Sequence, residues 1–406
     1  MRTLFYNGDI LTMESPHPAE AVLTEGERIL AVGDLSAIAP LAGRGSRTVD
    51  LRGGALIPGF IDCGGDFWAA VRRRLPREAG GRIVRAAVRQ TWEEYVRQGY
   101  TTVCARGVTA QTVRLLSSAD LPVPIFAVAD MTDLEGSWRA AAQSHGRVIL
   151  CGVSLDADAR EDGGVAAGRL AFCDRAIGYA LRTAAAAGLT PFVRAESGAA
   201  ADQLLRVLRA MSRVCPALPA TRPVLQDARA LSPLAMEQMR QLGCIPAFAA
   251  DVIPRLGDEL LAACGTEAAA RLTPFAAARR AGLPYTLCSV DTGGIPAPMT
   301  LLSAAVCRRS ARGILLGGGE RAGVYDALRA LTAHGAWQYH AEYTRGSIRA
   351  GMRADLVLLD RSPLAVPSAE MDEIRCVATC VGGDMFCHDD LSEISTLRTR
   401  VPSVYH

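Results

Sequence analysis

The stretch richest in potential chemistry is Leu56-Ile57-Pro58-Gly59-Phe60-Ile61-Asp62-Cys63-Gly64-Gly65-Asp66-Phe67. An apolar run restarts after Pro58-Gly59 and ends in a thiol and two carboxylates among glycines. That is the pattern of a buried strand opening into small and acidic residues. Carboxylates at such a position can act as general acids and bases. Cys63 becomes a nucleophile only beside a base, and no histidine is near it in sequence; as a small packing residue it needs no such partner. Other polar residues end apolar runs: Ser154, Arg194 and Glu196, Asp227, and Asp291. The chain holds no lysine, so all 44 residues of its Lys+Arg count are arginine. A lysine Schiff base, a lysine general base and a carbamylated lysine bridging two metals are therefore excluded.

Residues this far apart in sequence meet only if many strand ends converge. From 56 to 339 the chain alternates between two patterns. Candidate strands lie at 56–63, 101–105, 123–128, 148–154, 191–196, 223–226, 245–248 and 285–289. Between most of them lie Ala- and Arg-rich stretches of helical spacing, among them 81–98, 175–187, 199–212, 233–242 and 267–281. Eight strands with intervening helices predict an α/β fold, a (β/α)8 TIM barrel with its chemistry at the C-terminal strand ends. A doubly wound sheet is the alternative, but no Gly-rich dinucleotide fingerprint follows an early strand. Both chain ends are rich in short strands and turns, such as the hairpin signal at 21–33 and the run from 346 to 386. The expected organisation is a composite β-sandwich domain from 1–55 and 340–406 around a barrel at 56–339. The polar tail from Asp389 reads as loose.

Composition narrows the function classes. Half of the residues are hydrophobic and the net charge is +2. The basic block Arg72-Arg73-Arg74 reads as a solvated helix face, so no nucleic-acid partner is expected. No run approaches the roughly 18 apolar residues of a membrane span, and the start has no apolar signal core. The expectation is a cytoplasmic protein with no membrane partner. Most of the 12 cysteines lie singly. Cys376 and Cys380 would stand about 13 Å apart on one strand, too far for one metal to take both.

The line Pro58-Gly59-Phe60-Ile61-Asp62 resembles the first barrel strand of the amidohydrolase superfamily, nearest the branch of N-substituted formamide deformylase. Gly346-Ser-Ile-Arg-Ala-Gly-Met-Arg-Ala-Asp355-Leu-Val-Leu-Leu-Asp360 resembles the family's closing signature, with Arg where Lys is common. Arg229 through Cys244 resembles the helix after strand six. The resemblance spans nearly the whole chain and implies the same barrel with its composite end domain. It also implies where a metal centre would stand. The His-x-His of strand one falls on Gly64 and Asp66, and the Lys or Glu of strand four on the line through Ser154. The histidines of strands five and six fall on Arg194 and Asp227. The aspartate of strand eight is retained as Asp291; in active members it accepts a proton from metal-bound water. The chain's histidines are His17, His145, His334, His340, His388 and His406, none at a predicted barrel strand end. A guanidinium at position 194 repels a second cation and can pair bidentately with carboxylates that would be costly to bury alone. An Arg194–aspartate network at the barrel mouth is therefore expected.

Two readings of different class follow. In the first, the protein is amidohydrolase-like, has lost the His/Lys metal centre, uses no cofactor, and binds a small molecule or a partner. Its pocket is formed by Arg194, Asp227, Glu196, Gly64, Cys63 and Ser154. In the second, it is an active hydrolase of non-peptide C–N bonds, of cyclic amide or N-formyl type. Asp66 and Asp291 are then the acid–base pair and Arg194 stabilises the oxyanion. This second reading runs without metal or with one divalent cation on Asp66, Asp227 and Asp291, a hard oxygen set suited to Mg²⁺. Homo-oligomers or association with an active relative are the expected assemblies. Loss at five positions together places the first reading ahead.

Overall fold

The structure, a computed structural model, describes residues 1–65, 67–156, 158–160, 166–290 and 294–388, with side chains outside 156–160 and 166–170. Asp66, Asp291 and the tail from Asp389 lie outside the described residues. The chain divides into two compact units: Met1–Ile61 with Glu93–Thr101 and the chain from Val324, and Asp62–Trp92 with Thr102–Gly323.

The second unit carries a seven-stranded parallel sheet. Its strands are β1 (Cys104–Val108), β2 (Ile125–Asp130), β3 (Val148–Asp156), β4 (Thr190–Arg194), β5 (Val224–Ala228), β6 (Ile245–Ala249) and β7 (Thr286–Cys288). They pair in chain order, each parallel to the next. β4, β5, β6 and β7 are buried at every residue, as parallel strands covered on both faces must be. Helices fill the crossovers, among them Ala110–Ser117, Gly198–Val214 and Pro233–Leu242. Their starts are encoded locally. The Oγ atoms of Thr109, Ser197 and Ser232 accept from the backbone N–H three residues on, and Pro233 sits in the first turn. Gly243, left-handed, ends the helix that Ser232 starts.

The expected first barrel strand, 56–63, is divided. Ala55–Pro58 pairs with Arg2–Ile10 and Leu356–Leu359, whereas Phe60–Ile61 pairs with Tyr100–Thr102. The division falls where Pro58 has no N–H to give a ladder. At Gly59 a Cβ would lie 2.1 Å from the Thr101 hydroxyl. The parallel ladder of seven strands thus begins at Cys104 and not at Leu56.

The first unit is one mixed sheet of eight strands drawn from both chain ends. Its long strand Arg2–Ile10 pairs on one edge with Arg47–Asp50 and then with Ala55–Pro58, both parallel. Phe5, Val22 and Val49 share one core with Leu356, Leu358 and Ala378. The eight strands are joined in one continuous hydrogen-bonded sheet. The helix Leu35–Ala42 covers a second cluster of Leu4, Ala21 and Leu23 with its Ile38.

Candidate site at the C-terminal strand ends

Arg194 is the last residue of β4. Its Nε donates to Glu196 Oε1 at 3.1 Å, and its Nη2 lies 2.5 Å from Asp227 Oδ2. Arg229 closes the group from the other side, with Nη2 2.9 Å from Glu196 Oε2. The result is a four-membered network, Asp227–Arg194–Glu196–Arg229, with two charges of each sign. Arg194, Glu196 and Asp227 are all buried. A buried charge survives only when it is paired in this way.

Backbone geometry aims these side chains. Asp227 has φ 56, and the ladder between β5 and β6 shifts register between Gln226 and Ala228. The bulge turns Asp227 out of the alternation its strand would impose, and aspartate tolerates that left-handed backbone better than most residues. A second bulge falls at Gly107, φ 63, where the ladder between β1 and β2 shifts between Arg106 and Val108. It follows Arg106, whose Nη1 donates to Gln226 Oε1 at 2.5 Å. Gln226 Nε2 in turn donates to the Gly64 carbonyl at 2.7 Å.

The segment after Ile61 is held beneath this network. Gly64 and Gly65 each donate a backbone N–H to Asp62 Oδ1 at 3.1 Å. Burial pushes the Asp62 carboxyl up to about 6, against the pull of these N–H groups and of the Arg106 charge. Gly65 has φ 78, and a Cβ there would stand 3.0 Å from the Arg106 Cβ. Both its backbone conformation and its surroundings call for glycine. Burial, with the Asp62 charge, pushes the Cys63 thiol well above its usual range. Cys63 therefore stays a neutral packing group and not a thiolate nucleophile. Ser154 donates its hydroxyl to the Ala129 carbonyl at 3.1 Å.

At the far side of the sheet Asp251 fixes the end of the last strand. It accepts from Ser289 Oγ at 2.6 Å and from the Val290 N–H at 2.8 Å, and pairs with Arg255 at 2.8 Å. A cavity of about 450 Å³ opens among the strand ends, lined by Gly65, Arg106, Ser154, Leu155 and Arg194. Of the residues expected from sequence, Arg194, Glu196 and Asp227 meet directly. Gly64 is joined to β5 through Gln226, while Cys63 is buried and Ser154 lines the cavity. Asp66 and Asp291 lie outside the described residues. Sequence reasoning missed Arg229, Arg106, Gln226 and Asp251. Arg106 had a usable signal: a charge in an apolar strand, directly before a glycine.

Among the described residues, no group of three or more His, Cys, Asp and Glu side chains is arranged to hold a metal ion. The donor chemistry at the positions that the resemblance aligns with ligands can be read directly. Asp227 meets Arg194 through Oδ2, and its Oδ1 lies 3.6 Å from the Cys288 thiol. A cation there would compete with a guanidinium that is already in place. The described residues do not fit the family's metal centre.

Residues 66–386 match the model of the amidohydrolase family, most of the chain, so this chain belongs to that family. It is 32% identical over 113 residues to the N-substituted formamide deformylase of Arthrobacter pascens. That match covers 28% of this chain and 21% of the length of the curated relative. The fold is similar to that of an uncharacterised metal-dependent hydrolase of Pyrococcus furiosus, with a TM-score of 0.70 at 16% identity over 90% of this chain and 100% of the other. It is also similar to A. niger ochratoxinase, with a TM-score of 0.65 at 15% identity over 96% of each chain.

Proposed function

We propose that this chain is an amidohydrolase-family protein in which a guanidinium–carboxylate network stands in for the metal centre. In this reading the seven parallel strands belong to a closed (β/α)8 barrel, and the cavity at their C-terminal ends binds a small molecule without the family's metal-assisted hydrolysis. The observation that carries the reading is the buried pair of Arg194 and Asp227, 2.5 Å apart, two residues that the family resemblance aligns with imidazole ligands. Two residues that would have bound one cation now form an ion pair with each other. Polarising an amide carbonyl and activating water together, the work of a Lewis acid, would then fall to groups that are already paired.

A second reading is hydrolysis of a C–N bond in a cyclic amide or N-formyl compound. Family membership and the local likeness to a formamide deformylase favour it. Asp66 and Asp291 would be the acid–base pair, with Arg194 as oxyanion stabiliser. The two readings separate on turnover of N-formyl amines and cyclic amides by the purified protein, alone, with added Zn²⁺, Mn²⁺ or Mg²⁺, and with chelator. The binding reading predicts no hydrolysis above the buffer rate in any arm. Hydrolysis abolished by Asp291→Asn would establish the second reading.

A further inference from the structure

The strand-end cavity is lined on one side by three oxygen-bearing side chains, Asp130, Thr132 and Ser154. Asp130 ends β2, and its Oδ1 accepts from the Thr132 N–H at 2.8 Å and from the Thr132 hydroxyl at 2.6 Å. Neither bond engages Oδ2. The Ser154 hydroxyl donates to the Ala129 carbonyl at 3.1 Å. Both hydroxyl protons are thus committed to the protein, and Thr132 and Ser154 are left with lone pairs. One carboxylate oxygen and two hydroxyl oxygens, all acceptors, suit the three N–H donors of a primary ammonium. Two of the guanidinium groups in the same lining already act on carboxyls. Arg194 is matched by Asp227 and Glu196, and the Arg106 charge acts on Asp62. Arg72 differs. It is exposed in the last turn of the helix Phe67–Arg73 and has no carboxylate partner among the described residues. Its planar fork matches a carboxylate. Leu155 and Phe172 add apolar surface to the same space. A carboxylate with a free oxygen and an unmatched guanidinium in one cavity call for a ligand that carries both charges.

We propose that this cavity binds a small zwitterion of the amino-acid class. Its ammonium meets Asp130, Thr132 and Ser154, its carboxylate meets Arg72, and its apolar body lies against Leu155 and Phe172. The proposal rests on the binding reading above, because a metal ion in the site would repel the ammonium. The test is isothermal titration of the full chain with each enantiomer of phenylalanine, with phenethylamine, which lacks the carboxylate, and with 3-phenylpropionate, which lacks the ammonium. Ionic strength is fixed, and each titration is run with and without a chelator. One enantiomer at least should bind about tenfold or more tightly than either singly charged analogue, the loss expected for one charge-assisted contact. Asp130→Asn keeps Oδ1 for Thr132 and removes the charge. It should weaken phenylalanine about tenfold and leave 3-phenylpropionate unchanged. Arg72→Gln, on an exposed helix turn, should weaken phenylalanine about tenfold and leave phenethylamine unchanged. A merely structural role for either residue would weaken all ligands together. No binding of either enantiomer, equal affinity for phenylalanine and an analogue, or variants that fail to separate the two analogues would overturn the proposal while leaving the metal-free reading intact. Binding that vanishes with chelator would overturn both.

Discussion

Removing Arg194 leaves Asp227 and Glu196 as buried carboxylates short of a cation. Arg194→Ala should cost about 3–5 kcal/mol, the usual penalty for breaking a buried ion pair from one side. The double variant Arg194→Ala/Asp227→Ala should cost less than the two single changes added, because each single change strands the other charge. Urea denaturation of the four proteins reads this out, and strict additivity would count against the pair. Asp62 gives a prediction in pH. The folded protein holds its proton up to about pH 6, whereas an unfolded aspartate releases it near the ordinary value of about 3.9. Between those values the native state binds more protons, so stability falls as pH rises through the window and is flat above it. Asp62→Asn keeps an acceptor oxygen for the N–H groups of Gly64 and Gly65 and cannot ionise. Relative to the parent protein it should gain about 3 kcal/mol between pH 4 and pH 7. Parallel stability curves for the two proteins would contradict the buried-acid account. At this scale the sequence exposed Arg194, Asp227 and Glu196 because each closes an apolar run. It hid Gln226 and Arg229, because an amide or an arginine beside a strand end looks the same whether it meets a buried partner or water.

Elements supply the positions, and one buried residue shows how tightly they are joined. Arg308 is fully buried after the helix Pro298–Cys307, with a left-handed φ of 53. Its guanidinium donates to the carbonyls of Leu272, Thr273 and Leu316 at 2.7 to 2.8 Å, and to that of Ala270 at 3.3 Å. Burial pulls its pKa down to about 10, so it remains charged at neutral pH. The acceptors include the carbonyl end of the helix Val252–Ala270, where the helix dipole favours a cation. Arg308→Leu should therefore destabilise the protein by about 3–5 kcal/mol. Arg308→Lys should recover only part of that, since one ammonium cannot reach carbonyls spread around a fork. Equal stability of the arginine and lysine proteins in chemical denaturation would refute this role. Cys307-Arg308-Arg309 reads in sequence as an ordinary charged helix end, so nothing marked Arg308 as interior. The strands were easier to read. Seven of the eight apolar runs sit where the parallel ladder now stands, because short buried strands have a strong apolar signature. The eighth, at 56–63, reads as one strand although Pro58-Gly59 marks the break, since composition cannot say which partner each half will choose. The bulges at Gly107 and Asp227 left only faint traces: a glycine in one case and an aspartate in the other.

At the scale of the whole molecule, membership of the amidohydrolase family and the buried Arg194–Asp227 pair meet in the proposal made above, that a guanidinium stands in for the family's metal charge. The parallel sheet delivers the ends of β4 and β5 side by side, with Arg194 opposite Gln226 in the register. The same strand order that would gather imidazoles around an ion here gathers Arg194, Asp227, Glu196 and Arg229 into a balanced group. No described helix is long and apolar enough to cross a membrane. The most direct test of the claim is elemental analysis by mass spectrometry of the purified protein after dialysis without chelator, with the Arg194→His/Asp227→His variant alongside. The account predicts Zn, Mn, Fe, Ni and Co all far below one equivalent in the natural protein. It predicts that the variant, with two imidazoles restored, gains affinity for Zn²⁺. About one equivalent of a transition metal in the natural protein, retained through dialysis, would contradict it.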